Sequence, residues 1–281
     1  MISLIQQFKS QFAMEGAGVK LKRVFAFTNT SDTDPFLLLD HFGSDNPDDY
    51  LAGFPWHPHR GIETVTYMLK GKVEHADSLK NEGTIGAGDV QWMTAGSGIV
   101  HQEMPKPVDG HMEGIQLWLN LPASHKMMQP RYREIKAASI PKVTGTGSTV
   151  AVISGEYNGV KGSAEELVFP VEYYHVSLNA DAVVQVPVKQ YSKIIVYVLE
   201  GNLNIHGLKD ALSGGNAYVL SADETMAFSA GNDSAQFMVM LSSPLNEPIA
   251  WRGPIVMNTQ KELNDAFEEL YQGTFLKDKP V

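Results

Sequence analysis

Short runs of β-branched, aromatic and aliphatic residues recur along the whole chain, separated by Gly, Pro, Asn and Asp. FAFTN (25–29), ETVTYML (63–69), GIQLWLNL (114–121), STVAVISG (148–155), YYHVSLN (173–179), AVVQVPV (182–188), KIIVYVLEG (193–201) and AQFMVMLSS (235–243) each predict a strand. So many short strands with turn residues between them predict an all-β architecture, a sandwich or a barrel. Helical periodicity is convincing only in TQKELNDAFEELYQ (259–272). There Leu263, Ala266, Phe267 and Leu270 recur at three- and four-residue steps, and Gly273 supplies a stop.

The strands carry an internal echo. Tyr67-Met68-Leu69-Lys70-Gly71 resembles Tyr197-Val198-Leu199-Glu200-Gly201, a strand running into a glycine turn. Gly86-Ala87-Gly88-Asp89-Val90 is matched by Gly214-Gly215-Asn216-Ala217-Tyr218, each leading into a short apolar strand. Two copies of one barrel in tandem account for both echoes. The loop-like PKVTGTGS (141–148) sets the expected boundary, giving domains 1–140 and 141–281, with the helix in the second.

Composition narrows the classes. With 281 residues, 43% hydrophobic and 19% charged, either half can bury a core without a structural metal. A metal site here is therefore expected to be functional. The net charge of −10, from 22 basic and 32 acidic residues, disfavours direct binding to a nucleic-acid backbone. The absence of cysteine excludes thiolate chemistry, a zinc ribbon and disulfides. No apolar run is long enough for a membrane span, and MISLIQQFKS does not read as a secretory signal, so the expected compartment is the cytoplasm.

The chemistry concentrates between residues 54 and 105. His57 and His59 are spaced i, i+2, which on a strand puts both imidazoles on one face, about 7 Å apart at the backbone. His101 and Glu103 repeat that spacing. If their two strands face each other across a barrel, three neutral nitrogens and one carboxylate converge, a set suited to iron(II), manganese, nickel, copper or zinc and not to calcium. Glu63, at i+4 from His59, could replace Glu103 as ligand or hydrogen-bond a ligand histidine; Gly61 could equally bend the strand and turn it aside. Glu103 is favoured as the ligand and Glu63 as its neighbour. The remaining histidines, His41, His75, His111, His125, His175 and His206, have no comparable partner in sequence and read as structural or solvated.

PFLLLDHFG (35–43), AGFPWHPHRGIETVTYMLKG (52–71), GDVQWMTAGSGIVHQEMP (88–105), GIQLWLNLP (114–122), PRYREI (130–135) and GPIVMNT (253–259) resemble the pirin family of the cupin superfamily, in order and over nearly the whole chain. The resemblance implies two cupin barrels in one chain, a C-terminal helix, and one mononuclear metal, usually iron, in the first barrel. Carried onto this sequence, its ligands are His57, His59, His101 and Glu103. The general cupin pattern takes its glutamate near Glu63 and expects a proline where Thr94 stands; this chain follows the pirin variant at both points. In the second half, Pro187-Val188-Lys189 stands where a His-x-His would be sought, so that barrel is expected to lack metal.

The resemblance further implies cleavage of a flavonol such as quercetin by dioxygen, with Glu103, or Glu63 behind it, accepting the substrate proton. A carboxylate in a cavity walled by Phe54, Trp56, Trp92 and Met93 would be a stronger base than in water. The competing expectation is a metal- or redox-dependent protein-binding regulator, and a third is a non-redox cupin using the metal as Lewis acid. Two barrels in one chain supply the packing that single barrels gain by pairing, so a monomer is expected.

Overall fold

The computed structural model describes residues 2–106, 108, 110–188 and 191–278; Lys189 of the sought second-barrel motif lies outside them. Two compact units emerge, one of 11–28, 35–137 and 245–278, the other of 2–10, 29–34 and 138–244. Both are all-β, and a helix lies near the C-terminus. No helix among the described residues is long and apolar enough to cross a membrane.

The expected boundary at 140/141 lies close to the main division at 137/138, but the ends of the chain group differently. Residues 3–9 pair with Asn216–Ser221 in the sheet of the unit that holds the C-terminal barrel. The helix Gln260–Gln272 groups with the N-terminal barrel and not, as expected, with the second: Leu263 and Ala266 pack with Ile255, Met257 and Phe275. Buried Arg60 bonds to the Phe275 carbonyl at 2.7 Å and pairs with Glu269. These contacts span about two hundred residues, beyond the reach of local pattern.

Each unit is built from a seven-stranded and a four-stranded antiparallel sheet. In the first, the larger sheet runs Arg131–Ile135, Val90–Thr94, Ile62–Lys70, Met112–Asn120, Phe36–Ser44, Val19–Phe25, Gln11–Glu15. The smaller runs Phe54–His59, Ile99–Lys106, Lys72–Asp77, Glu82–Gly86. The second unit repeats the small sheet as Val183–Pro187, Thr225–Ala230, Asn202–Ile205, Leu212–Ser213. The sequence echo has a structural counterpart. The Gly88 amide donates to the Met68 carbonyl at 2.8 Å and the Gly215 amide to the Val198 carbonyl at 2.7 Å, so both copies close the same turn.

The strands fall where the apolar runs place them, with one exception. FAFTN ends its strand at Phe25, and Phe27–Asn29 is a 3-10 turn. Phe27 is exposed there and packs edge-on against Trp251. The helix starts on a capping box, Thr259 accepting from the Glu262 amide while Glu262 accepts from the Thr259 amide, and ends on Gly273 at φ 71°.

Candidate metal centre

Phe54–His59 and Ile99–Lys106 do not face each other across the barrel; they are hydrogen-bonded neighbours, with His101 opposite His57 and Ile99 opposite His59. Alternation puts His57, His59 and His101 on one face of this small sheet. Their ring centroids lie 4.8, 4.3 and 5.1 Å apart, and their candidate ligand atoms all fall within 4.8 Å of one another. Register shifts between His101 and Glu103, a bulge that sets the carboxylate opposite Phe54. Glu103 is buried, lines the same cavity and accepts from Thr66 Oγ1 at 3.1 Å, but is not in the 4.8 Å cluster.

The hydrogen bonds assign the tautomers. His57 Nδ1 donates to the Pro55 carbonyl at 2.8 Å and His59 Nδ1 to the Pro254 carbonyl at 3.2 Å, since a carbonyl can only accept. In both rings Nε2 is therefore the free lone pair. His101 Nε2 is fully buried without a hydrogen-bond partner, a costly arrangement unless something electrophilic uses it. Burial, and the nearby positive charge that His57 would carry, push His59 well below the usual imidazole range; the Pro254 carbonyl opposes them without prevailing. His101 is pushed down likewise, by burial first and then by His59, His57 and His75. Neutral imidazoles converging on one point are what a transition metal requires, so the residues fit such an ion.

Glu63 is not brought to this cluster. Gly61, at φ 76°, turns the chain between two strands, so His59 and Glu63 sit in different sheets and the i+4 relation no longer means one face. Glu63 instead accepts from Thr94 Oγ1 at 2.5 Å and from Arg133 Nη2 at 3.1 Å. The expectation that it hydrogen-bonds a ligand histidine gives way to this buried pairing. It also explains Thr94, whose hydroxyl is used here where a proline would offer none.

A cavity of about 730 Å³ opens beside the histidines. Phe54 and Trp56 line it as expected; Trp92 and Met93 do not, and Trp118, Phe27 and Trp251 take their place. Trp118 meets His59 edge-on at 5.0 Å, and Trp251 lies tilted against Trp118 at 5.9 Å with 36° between the rings. Trp118 was in plain sight within GIQLWLNL, but only strand pairing shows which face it takes. Arg23, also in the cavity lining, grips Asp40 with two bonds of 3.0 and 2.8 Å and reaches Glu15 at 2.7 Å.

His75, expected to be structural or solvated, and Asp77, not singled out in the sequence, both lie beside the cluster. Their strand, Lys72–Asp77, flanks Ile99–Lys106 on its other side, with Asp77 opposite His101 and His75 opposite Glu103. His75 Nδ1 lies 3.5 Å from His101 Nδ1. The signal that could have found them is the same i, i+2 spacing, here in His75-Ala76-Asp77.

In the second unit the equivalent small-sheet strands present Val184 and Val186, then Met226 and Phe228, all packed in its apolar core. Among the described residues, one group of three potential ligands lies close enough to hold a metal, and it is in the first unit.

An all-β chain with two cupin domains, one of them carrying a histidine triad able to hold a single metal ion, defines a bicupin with one candidate metal centre. The chain belongs to the pirin family: residues 18–119 match Pirin and residues 173–276 match the Pirin C-terminal cupin domain. A pirin-like protein of Caulobacter vibrioides is 43% identical over 270 residues, covering 95% of this chain and 96% of its own length. The crystal structure of a quercetin 2,3-dioxygenase from Acinetobacter baumannii superposes with a TM-score of 0.90 at 34% identity, covering 98% of each chain. The bacterial pirin YhhW of Escherichia coli, solved in complex with nickel(II), shares the fold at a TM-score of 0.66 and 23% identity, covering 87% of this chain and all of its own.

Proposed function

We propose that the chain binds one transition metal, iron(II) in its active form, through His57, His59, His101 and Glu103, and cleaves a flavonol such as quercetin with dioxygen. The observation that carries the reading is His101 Nε2, buried and unpartnered beside His57 and His59, whose Nε2 atoms are likewise free and which line an aromatic-walled cavity. The 34% identity to a quercetin 2,3-dioxygenase over 98% of the chain supports the substrate class. A bound metal supplies Lewis acidity toward paired substrate oxygens and, if redox-active, electrons for dioxygen.

The chain's own residues do the rest. Trp118 and Trp251 offer flat apolar surface to a planar aromatic substrate. Glu103 accepts the hydroxyl proton that the substrate must lose, and Thr66, donating to Oε1, fixes its orientation. Gln116 Oε1, which lines the same cavity, lies 2.6 Å from Thr66 Oγ1 and is the alternative acceptor for its single hydrogen. Protein purified without oxygen and reloaded with iron(II) should consume dioxygen only when quercetin is added, and His101→Ala should abolish the uptake. Bound iron with no quercetin-dependent uptake would remove the flavonol assignment.

A further inference from the structure

Three neighbouring strands each carry an i, i+2 pair toward the same place: His57 and His59, His101 and Glu103, His75 and Asp77. The first two pairs supply the proposed ligands. The third is buried as deeply, with His75 at 3% and Asp77 at 5% exposure, and no step assigned so far uses it.

We propose that Asp77 and His75 form a positioning relay that sets the tautomer and orientation of His101 and so tunes the metal it holds. The inference rests on His101 as a ligand and is independent of the flavonol assignment. Asp77 Oδ2 lies 3.3 Å from His75 Nε2, and a carboxylate only accepts, so Nε2 carries the hydrogen. A neutral His75 then has its lone pair on Nδ1. That atom faces His101 Nδ1 at 3.5 Å, so His101 Nδ1 is the donor and its Nε2 is the lone pair. The one unpartnered nitrogen of the ring is Nε2. With His75 neutral, every hydrogen in the chain points from His101 through His75 to Asp77, and the reverse order would set the lone pair of His75 Nε2 against the Asp77 carboxylate.

Both relay members are held in place. Asp77 Oδ1 accepts from the Leu79 and Asn81 amides at 2.8 and 3.0 Å, and Oδ2 from Asn81 Nδ2 at 2.8 Å. The His75 ring stacks on Tyr132 at 4.5 Å with 20° between planes. His57 and His59 are oriented by backbone carbonyls, which side-chain substitution cannot alter. His101 alone is oriented by a side chain ending in a carboxylate, an arrangement that transfers negative charge toward the ligand and strengthens it as a donor.

The test is cobalt(II) binding to the whole chain, by competition with a chelating dye, with the visible ligand-field spectrum of the bound ion recorded alongside. His75→Phe keeps the stack on Tyr132 and removes the acceptor. It should lose some melting temperature without metal, because buried groups of Asp77 and His101 lose their partner, bind cobalt(II) about ten- to a hundredfold more weakly, and shift the spectrum. His75→Asn places an oxygen near the lost Nδ1 and should recover most of the affinity. Asp77→Asn must keep its oxygen toward the Leu79 and Asn81 amides, which turns its NH2 group toward His75 and reverses the relay. It should weaken binding as His75→Phe does, and it serves should His75→Phe not fold. Wild-type affinity and spectrum in His75→Phe or Asp77→Asn would overturn the relay. Equal losses in His75→Phe and His75→Asn would overturn its hydrogen-bond basis. A wild-type chain that binds no cobalt(II) would overturn the ligand assignment beneath it and the relay together.

Discussion

Two glutamates separate local pattern from fold at the scale of the residue. Glu103→Gln removes a charged donor from the centre and should cut quercetin turnover more than metal content, read by oxygen uptake and metal analysis on one preparation. Glu63→Gln should leave metal content unchanged and destabilise the protein by about 1–3 kcal/mol in chemical denaturation, because Arg133 keeps its charge and loses its buried partner. Metal loss in Glu63→Gln would return that residue to the site. The three histidines were legible because strand alternation is a local rule: residues two apart share a face whatever the strand pairs with. Glu63 was misplaced by the same rule applied across Gly61, where the strand ends. His75 was passed over because its partner, His101, is 26 residues away and adjacent only through sheet pairing.

Among elements, neighbouring strands are tied by charged pairs that pH can undo. Glu113 on Met112–Asn120 accepts from His41 on Phe36–Ser44 at 3.1 Å and pairs with Lys70 at 2.8 Å. The hydrogen bond to His41, opposed by burial and reinforced by Lys70, holds the Glu113 carboxyl down at about 2. A depressed carboxyl contributes stability that is complete above its unfolded value, near 4.5, and is lost as pH falls toward 2. Glu113→Gln should therefore flatten the fall in stability between pH 4.5 and 2, and an unchanged slope would show that the pair contributes nothing. The C-terminal helix, read from its apolar spacing alone, also carried its start signal in Thr259-x-x-Glu262. Thr259→Ala should cost about 1 kcal/mol in denaturation midpoint measurements without altering metal content. What the spacing could not reveal was which barrel the helix packs on, since Arg60, Glu269 and Phe275 meet only in the folded chain.

At the scale of the whole molecule, two units of like sheet make-up carry unlike interiors. Turn glycines and the apolar strands between them made the tandem legible, because both copies need the same positive-φ turns at Gly71 and Gly201. In the second barrel the sequence offers no His-x-His at the sought position, and the described small-sheet strands place Val184, Val186, Met226 and Phe228 in an apolar core. Metal should then stabilise through one site: at a hundredfold excess over its dissociation constant the gain is about 2.7 kcal/mol, a rise of roughly 5–10 °C in melting temperature that a chelator reverses. The most direct test of the central claim is the metal-to-protein ratio of chain reloaded with iron(II) and freed of loose ions. One ion per wild-type chain and none in His101→Ala is the expected result. Full retention of metal in His101→Ala, or no metal in the wild type, would contradict it.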